Sequence, residues 1–291
     1  MISELRDRLI QMQPSWLPTL LLFPVLYGLG WGLTFPLRLI GLASEKHALV
    51  GTLISFVLLL TVLPRWCRLR WHARNCWRSL GLTGTPQQGR RSPWTALLMG
   101  LGLAMLLLSF VLVPVMLGSW GLWLGEWSPG RIFNALALVF GVGLAEELIF
   151  RGWLWRELES WIGARSAVIT QALIFSLVHT RFNLGFWPML GLLIGLLLLG
   201  LSLAVQRRLD GGSLWGCIGL HGGLVGGWFL VQNGLLQLSP DAPAWLVGPG
   251  GMHSNPIGGI VGIAALLSLF LIQFTAVARA ARPATGARSD S

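Results

Sequence analysis

What most constrains this chain is a succession of apolar runs bounded by Arg, Pro or Trp. Each is about 20 residues long, the length a helix needs to cross a hydrocarbon core about 30 Å thick. Eight such runs can be read, at residues 16–37, 48–64, 94–118, 132–150, 166–182, 186–205, 213–236 and 257–278. The runs at 48–64 and 166–182 are short, which suits low tilt or a partly re-entrant path. The expected fold is therefore all-α and polytopic, a bundle of about eight transmembrane helices over 16–278, with no internal repeat and no separate soluble domain. Charged residues make up only 11% of the chain, against roughly 25% in soluble domains, so a soluble single-domain enzyme is excluded.

The net charge of +10 does not point to nucleic acid. The basic residues, all Arg except Lys46, are scattered between the apolar runs rather than gathered in one arm, and the partner they imply is a lipid bilayer. The stretch from Arg65 to Arg91 carries Arg65, Arg68, Arg70, Arg74, Arg78, Arg90 and Arg91 and no acid, which places it in the cytoplasm by the positive-inside rule. With eight spans, every basic residue except Arg38, Lys46, Arg131 and Arg181 then falls on the cytoplasmic side. Both termini are expected there, in a plasma (inner) membrane, with residues 1–15 as a cytoplasmic segment and 279–291 as a basic, disordered tail. No removable signal peptide is expected. Trp66, Trp71, Trp77, Trp94, Trp120, Trp123, Trp127, Trp153 and Trp155 fall at or near span ends, where an amphipathic ring sits among headgroups. Gly28/Gly32, Gly191/Gly195, Gly222/Gly226 and Gly258/Gly262 have the spacing of small residues that let helices approach closely. Cys67, Cys76 and Cys217 are odd in number and widely spaced, which argues against a disulfide framework and a CxxC zinc site.

A charge at the bilayer centre costs several kcal/mol and is rarely kept without a purpose. Of the eleven acids and five histidines, all but Glu146, Glu147, His179 and His221 can reach water or headgroups. Those four lie on three runs, with Arg151 just beyond the first pair. Carboxylates and imidazoles are the side chains that general acid/base work and metal binding require. Glu147 and Arg151 are four apart and share a helix face, so they form an ion pair that offsets their burial. Glu146 points about 100° away from that pair, as an uncompensated carboxylate suited to taking a proton from water, or else facing the cytoplasmic interface. His179 follows Phe175 by four residues, so the ring packs beneath the imidazole. His221 is followed by glycines that leave room for a backbone or a substrate. Cys217, one turn before it, is either a small buried hydrophobe or half of a Cys/His nucleophile pair.

These motifs resemble, in order and setting, those of the CAAX prenyl protease 2 family, also called CPBP or Abi intramembrane proteases. Glu146 to Arg151 (EELIFR) is similar to the EExxxR motif, Phe175 to His179 (FSLVH) to FxxxH, and Ser213 to His221 (SLWGCIGLH) to the approach to the third motif. The resemblance covers about residues 130–236. It implies a helical bundle enclosing a cytosol-facing cavity and an endopeptidase acting on a membrane-associated peptide or protein, such as a prenylated CaaX protein or a bacteriocin-like peptide. In the roles it implies, Glu146 activates the attacking water, His179 holds that water or assists proton transfer, and His221 helps stabilise the oxyanion, with Glu147, Arg151 and Phe175 in support. One position departs from the pattern. The third motif is HxxxN or HxxxD, whereas Val225 stands four residues after His221 and donates no hydrogen bond. Asn183, Gln232 or Asn233 would have to substitute from elsewhere, or the site is slow or dead.

Two histidines and a glutamate are also a plausible catalytic zinc set. If a metal is held, the ligands are Glu146, His179 and His221, but without HExxH no two are placed by local helix geometry. A glutamate-activated water without a metal is the favoured reading. The alternatives are an inactive scaffold or peptide-binding relative, motivated by Val225, and a proton-coupled transporter, whose marker, paired broken helices in two related halves, is not visible.

Overall fold

The structure is a computed structural model that describes residues 2–12, 15–41, 43–84, 91–251 and 254–280. The expected tail lies outside the described residues beyond Ala280, as do Arg90 and His253. The chain divides into two compact units, Met1–Leu80 and Gly81–Ser291.

The first unit contains α1 (Ile2–Ile10), α2 (Trp16–Leu39), α3 (Ser44–Trp71) and α4 (Cys76–Leu80). Helices α2 and α3 form a hairpin whose backbones meet at Gly30, where a Cβ would stand 2.6 Å from the Gly51 carbonyl oxygen. Near the turn, buried His47 bonds through Nε2 to Thr34 Oγ1 at 3.1 Å, with its ring at the edge of Trp31. Arg65 of α3 grips the Asp7 carboxylate of α1, with Nε donating to Oδ1 at 2.8 Å, and this partner holds the Asp7 carboxyl below its usual range. Arg70 donates to the carbonyls of Ile10 and Ser15.

Helix α3 extends well past the expected 48–64 at both ends, so the short run is one long helix and several loop arginines are helical. It stops at His72, in the left-handed region with φ 52°, and the reversal folds α4 back. Cys67 and Cys76 thereby meet in a disulfide, their Cα atoms 5.4 Å apart, which corrects the reading of the cysteines. A helix end followed by a sharp turn brings together residues whose sequence spacing looked too wide.

The second unit contains α5 (Pro93–Leu117), β1 (Gly121–Trp123), α6 (Pro129–Glu147), a π turn (Leu148–Leu154), α7 (Trp155–Val178), α8 (Phe186–Leu209), α9 (Trp215–Leu230), a second π turn (Val231–Leu235), β2 (Leu236–Leu238), α10 (Ala244–Val247) and α11 (Ile260–Ala280). Helices α5 and α6 start at Ser-Pro, the Ser92 and Ser128 hydroxyls capping them by accepting from the amides of Thr95 and Arg131. The two strands pair antiparallel, Leu122 opposite Gln237.

Helix α9 lies between α5 and α6 in near backbone contact. A Cβ at Gly219 would stand 2.3 Å from the Leu97 oxygen, and one at Gly222 2.2 Å from that of Val139. Gly191, Gly195, Gly226, Gly258 and Gly262 also meet neighbouring backbone, whereas Gly28 and Gly32 face open space. Of the four spaced pairs, Gly222/Gly226 packs α9 on α6 and Gly191/Gly195 packs α8 on the short turn at Pro256–Gly258, whereas Gly262 meets Pro256 just before its own helix. Helix α8 packs against α7 and α11, and the apolar core gathers Phe150, Phe175, Leu199, Leu203, Leu220 and Leu224.

By length and composition, six helices among the described residues can cross a membrane: Trp16–Leu39, Lys46–Trp71, Pro93–Leu117, Pro129–Val178, Phe186–Leu209 and Ile260–Ala280. The exposed Leu, Phe and Ile side chains on their outer faces suit lipid rather than water. The protein is an all-α, multi-pass integral membrane protein. These six helices hold seven of the eight expected runs. The runs at 132–150 and 166–182 share one 50-residue stretch that consists of two helices meeting at a kink at Gly163, whose φ of 77° favours glycine. The run at 213–236 forms a 16-residue α-helix that ends in a π turn and a strand. Nor are all the tryptophans interfacial: Trp66, Trp153 and Trp155 are buried, whereas Trp94, Trp123 and Trp127 are exposed.

Because α6 and α9 touch at Gly222, we expect Gly222→Ala to cost about 1–3 kcal/mol, the range for overpacking a tight interface. Thermal unfolding in detergent should fall for this variant and stay near native for Gly28→Ala, where a methyl meets nothing within 4 Å.

Candidate active site

Four segments build the site. The last turn of α6 supplies Glu146 and Glu147, the π turn supplies Arg151, the C-terminal end of α7 supplies Phe175 and His179, and the middle of α9 supplies His221. A π turn has one more residue per hydrogen-bonded ring than an α-helix and is frequent at functional sites. Here it begins directly after Glu147.

The inner half is sealed. Glu147 and Arg151 have no exposed side-chain surface, and His221 has 5%. Glu147 Oε1 accepts from Arg151 Nη1 at 2.9 Å and from His221 Nδ1 at 2.8 Å. The ion pair expected from the spacing is present, and the same oxygen also orients an imidazole from another helix, which the spacing does not reveal. The Arg151 guanidinium lies over the Phe175 ring at 4.1 Å. That ring contacts His179 at 4.8 Å and, edge to face, His221 at 5.5 Å and Phe150 at 5.1 Å. Phe175 therefore supports both imidazoles as well as the arginine.

The outer half is accessible, with 26% of the Glu146 side chain and 32% of that of His179 exposed. Glu146 Oε2 lies 3.4 Å from His179 Nε2 and 3.8 Å from His221 Nε2. Glu146 is thus not the isolated carboxylate read from the sequence: it faces away from Arg151 but towards two imidazoles.

Hydrogen-bond partners assign the ring protons. His179 Nδ1 lies 2.7 Å from the Phe175 carbonyl oxygen, which only accepts, so Nδ1 carries a proton. His221 Nδ1 faces a carboxylate oxygen and carries one for the same reason. In the neutral rings both Nε2 atoms are then acceptors, and they are turned towards a third acceptor, Glu146 Oε2. Three lone pairs facing one another are stable only around something that donates or is positive: a proton on one ring, a water, or a cation. This arrangement can take a proton from a water and return it to a leaving group.

The residues considered as substitutes for Val225 divide. Gln232 is committed to Ser254, donating to its carbonyl and hydroxyl oxygens at 3.2 Å, and Asn233 donates to the Phe229 carbonyl at 2.8 Å. Asn183 is exposed in a short 3-10 turn after α7, four residues past His179. Val225 is half-buried, one turn past His221 on α9. The Cys217 thiol, fully buried, donates to the Leu203 carbonyl at 3.1 Å, which suits the small-hydrophobe reading. Among the described residues, no group of three His, Cys, Asp and Glu side chains is arranged to hold a metal ion. Glu146, His179 and His221, the set a zinc would need, do not form such a group.

A buried carboxylate, arginine and histidine beneath an accessible Glu/His pair, all inside a helical membrane bundle, make a candidate acid/base site. Residues 127–226, about a third of the chain, match the family of type II CAAX prenyl endopeptidase, Rce1-like, proteins, in agreement with the resemblance of the motifs they contain. The match begins just before α6 and takes in every residue of the site, ending one residue after Val225. Residues 5–75 match a domain of unknown function, DUF8676. No curated protein and no solved structure matches the chain.

Removing Glu147 would strand Arg151 as a buried charge, so Glu147→Ala should destabilise the protein by about 3–5 kcal/mol. Glu146→Gln, at an accessible position, should change stability by less than about 1 kcal/mol. Thermal unfolding in detergent separates the two, and equal losses would contradict the division into a sealed and an accessible half.

Proposed function

We propose that the protein is an intramembrane endopeptidase that hydrolyses a peptide bond in a membrane-associated peptide or protein with a water activated by Glu146. The observation that carries this reading is the convergence of Glu146 Oε2 with the Nε2 atoms of His179 and His221, their Nδ1 atoms fixed by other acceptors.

In the proposed reaction, a water between Glu146 and His179 gives a proton to the Glu146 carboxylate while its oxygen attacks the carbonyl carbon. The carbonyl oxygen becomes an oxyanion, and His221, when protonated, donates Nε2–H to it. Glu147 steadies the imidazolium through Nδ1, in the role a buried carboxylate plays in hydrolytic triads. The tetrahedral intermediate collapses, the C–N bond breaks, and Glu146 passes its proton to the leaving amine. The products are one new carboxylate and one new amine. The family's namesake substrates are prenylated CaaX proteins, and a bacteriocin-like peptide is the other class that fits a membrane-embedded site. The bias of arginines to one side, counted over the eight expected spans, supports both termini being cytoplasmic, and a plasma (inner) membrane is the proposed location.

Val225 favours a second reading, a catalytically inactive scaffold that binds peptides, because an oxyanion donor is missing where the family has Asn or Asp. The purified full chain, incubated in micelles with prenylated CaaX and bacteriocin-like reporter peptides, decides between them. Under the hydrolase reading Glu146→Gln lowers cleavage by about 10²–10⁴-fold, the usual worth of a general base. Val225→Asn should raise the rate, by up to about 10²-fold if the new amide reaches the oxyanion. If the native chain leaves the peptides intact and only Val225→Asn cleaves them, the scaffold reading holds.

A further inference from the structure

The π turn between α6 and α7 leaves one backbone group to be satisfied from outside the helix. In an α-helix each carbonyl accepts from the amide four residues ahead; in a π turn the amide reaches five residues back. The Trp155 amide donates to the Phe150 carbonyl. Helix α7 then resumes the four-residue pattern, which sends the Arg156 amide to Gly152. The Arg151 carbonyl falls between these two bonds and receives neither amide. In a membrane interior such a group must find another donor.

Arg207, near the end of α8, is that donor: its Nη1 donates to the Arg151 carbonyl. The same guanidinium donates through Nε to the Gly212 carbonyl at 3.2 Å and lies 5.2 Å over the Trp155 ring, directly after the π turn. Gly212 belongs to the turn that leads into α9, the helix of His221. One side chain therefore ties the segment of Glu146, Glu147 and Arg151 to the start of the helix that bears their partner.

We infer that Arg207 is a positioning residue that holds the π turn open and thereby sets the orientation of Glu146 relative to His179 and His221. Its catalytic part rests on the hydrolase reading above. Reversion of the π turn to α-helix would advance everything after it by one residue, about 100° of rotation. Glu146, before the turn, and His179, after it, would no longer face each other.

The test uses the full chain in detergent micelles, with Arg207→Met, Arg207→Lys and, as a control, Arg279→Ala at the exposed end of α11. Hydrogen exchange read by mass spectrometry should speed up about tenfold over residues 148–156 in Arg207→Met, as for the loss of one net hydrogen bond. Exchange in α5 should stay native. Arg207→Lys, which keeps a cationic donor, should restore much of the protection, and Arg279→Ala should match the native protein. With an internally quenched apolar reporter peptide, Arg207→Met should lower kcat about tenfold with KM within about twofold, the pattern of a lost transition-state arrangement. Unchanged exchange over 148–156, equal acceleration in α5, or an unchanged kcat would each overturn the inference. If Glu146→Gln cleaves like the native chain, the hydrolase reading fails instead, and exchange alone still decides whether Arg207 holds the turn.

Discussion

The site depends on one buried oxygen. Glu147 Oε1 takes hydrogen bonds from Arg151 and His221, and each of the three would be costly alone in a low-dielectric interior. A carboxylate with two donors offsets that cost only when the donors are held at hydrogen-bonding distance. This requirement fixes the separation of α6 and α9, and glycine at Gly143, Gly222 and Gly226 is what allows the separation to be so small. Larger side chains along that seam would move His221 away from the carboxylate it must reach.

Within this frame the two adjacent glutamates have different work. Glu147 points inward, its Oε1 taken by Arg151 and His221; Glu146, about 100° around the helix, points to the accessible side and to the two Nε2 atoms. The tautomers follow from the inner contacts: because Phe175 O and Glu147 Oε1 occupy the Nδ1 atoms, the Nε2 atoms are left for chemistry. The sealed layer thus decides what the accessible layer can do.

Much of this was legible in the residues, and the exceptions have physical causes. Intramembrane charges are scarce, so Glu146, Glu147, His179 and His221 stood out, and the four-residue spacing announced both the Glu147–Arg151 pair and the Phe175–His179 contact. The bond from His221 to Glu147 was not legible, since it joins residues on separate helices with no local pattern. Nor was the π turn, because LIFRGWL reads as ordinary helix and the extra residue is taken up by tertiary contacts. Hydropathy runs found every long apolar segment but not their ends: α3 continues through arginines that reach polar partners such as Asp7 and the Ile10 carbonyl, and the helix from Pro129 onward passes through Glu146, Glu147 and Arg151 because they neutralise one another. Cys67 and Cys76 were misread because only the reversal at His72 brings them together.

The ring of Phe175 has an electrical consequence. It touches the guanidinium of Arg151, paired with its carboxylate, and the imidazole of His179, with Glu146 beyond it. The inner pair is a closed dipole with no net charge, and its members have no exposed surface through which to trade protons with the surroundings. A proton that comes or goes on the outer residues therefore alters the charge of one compartment while the other stays constant. The phenyl ring thus contacts both an ion pair whose charge is fixed and an imidazole whose charge can change.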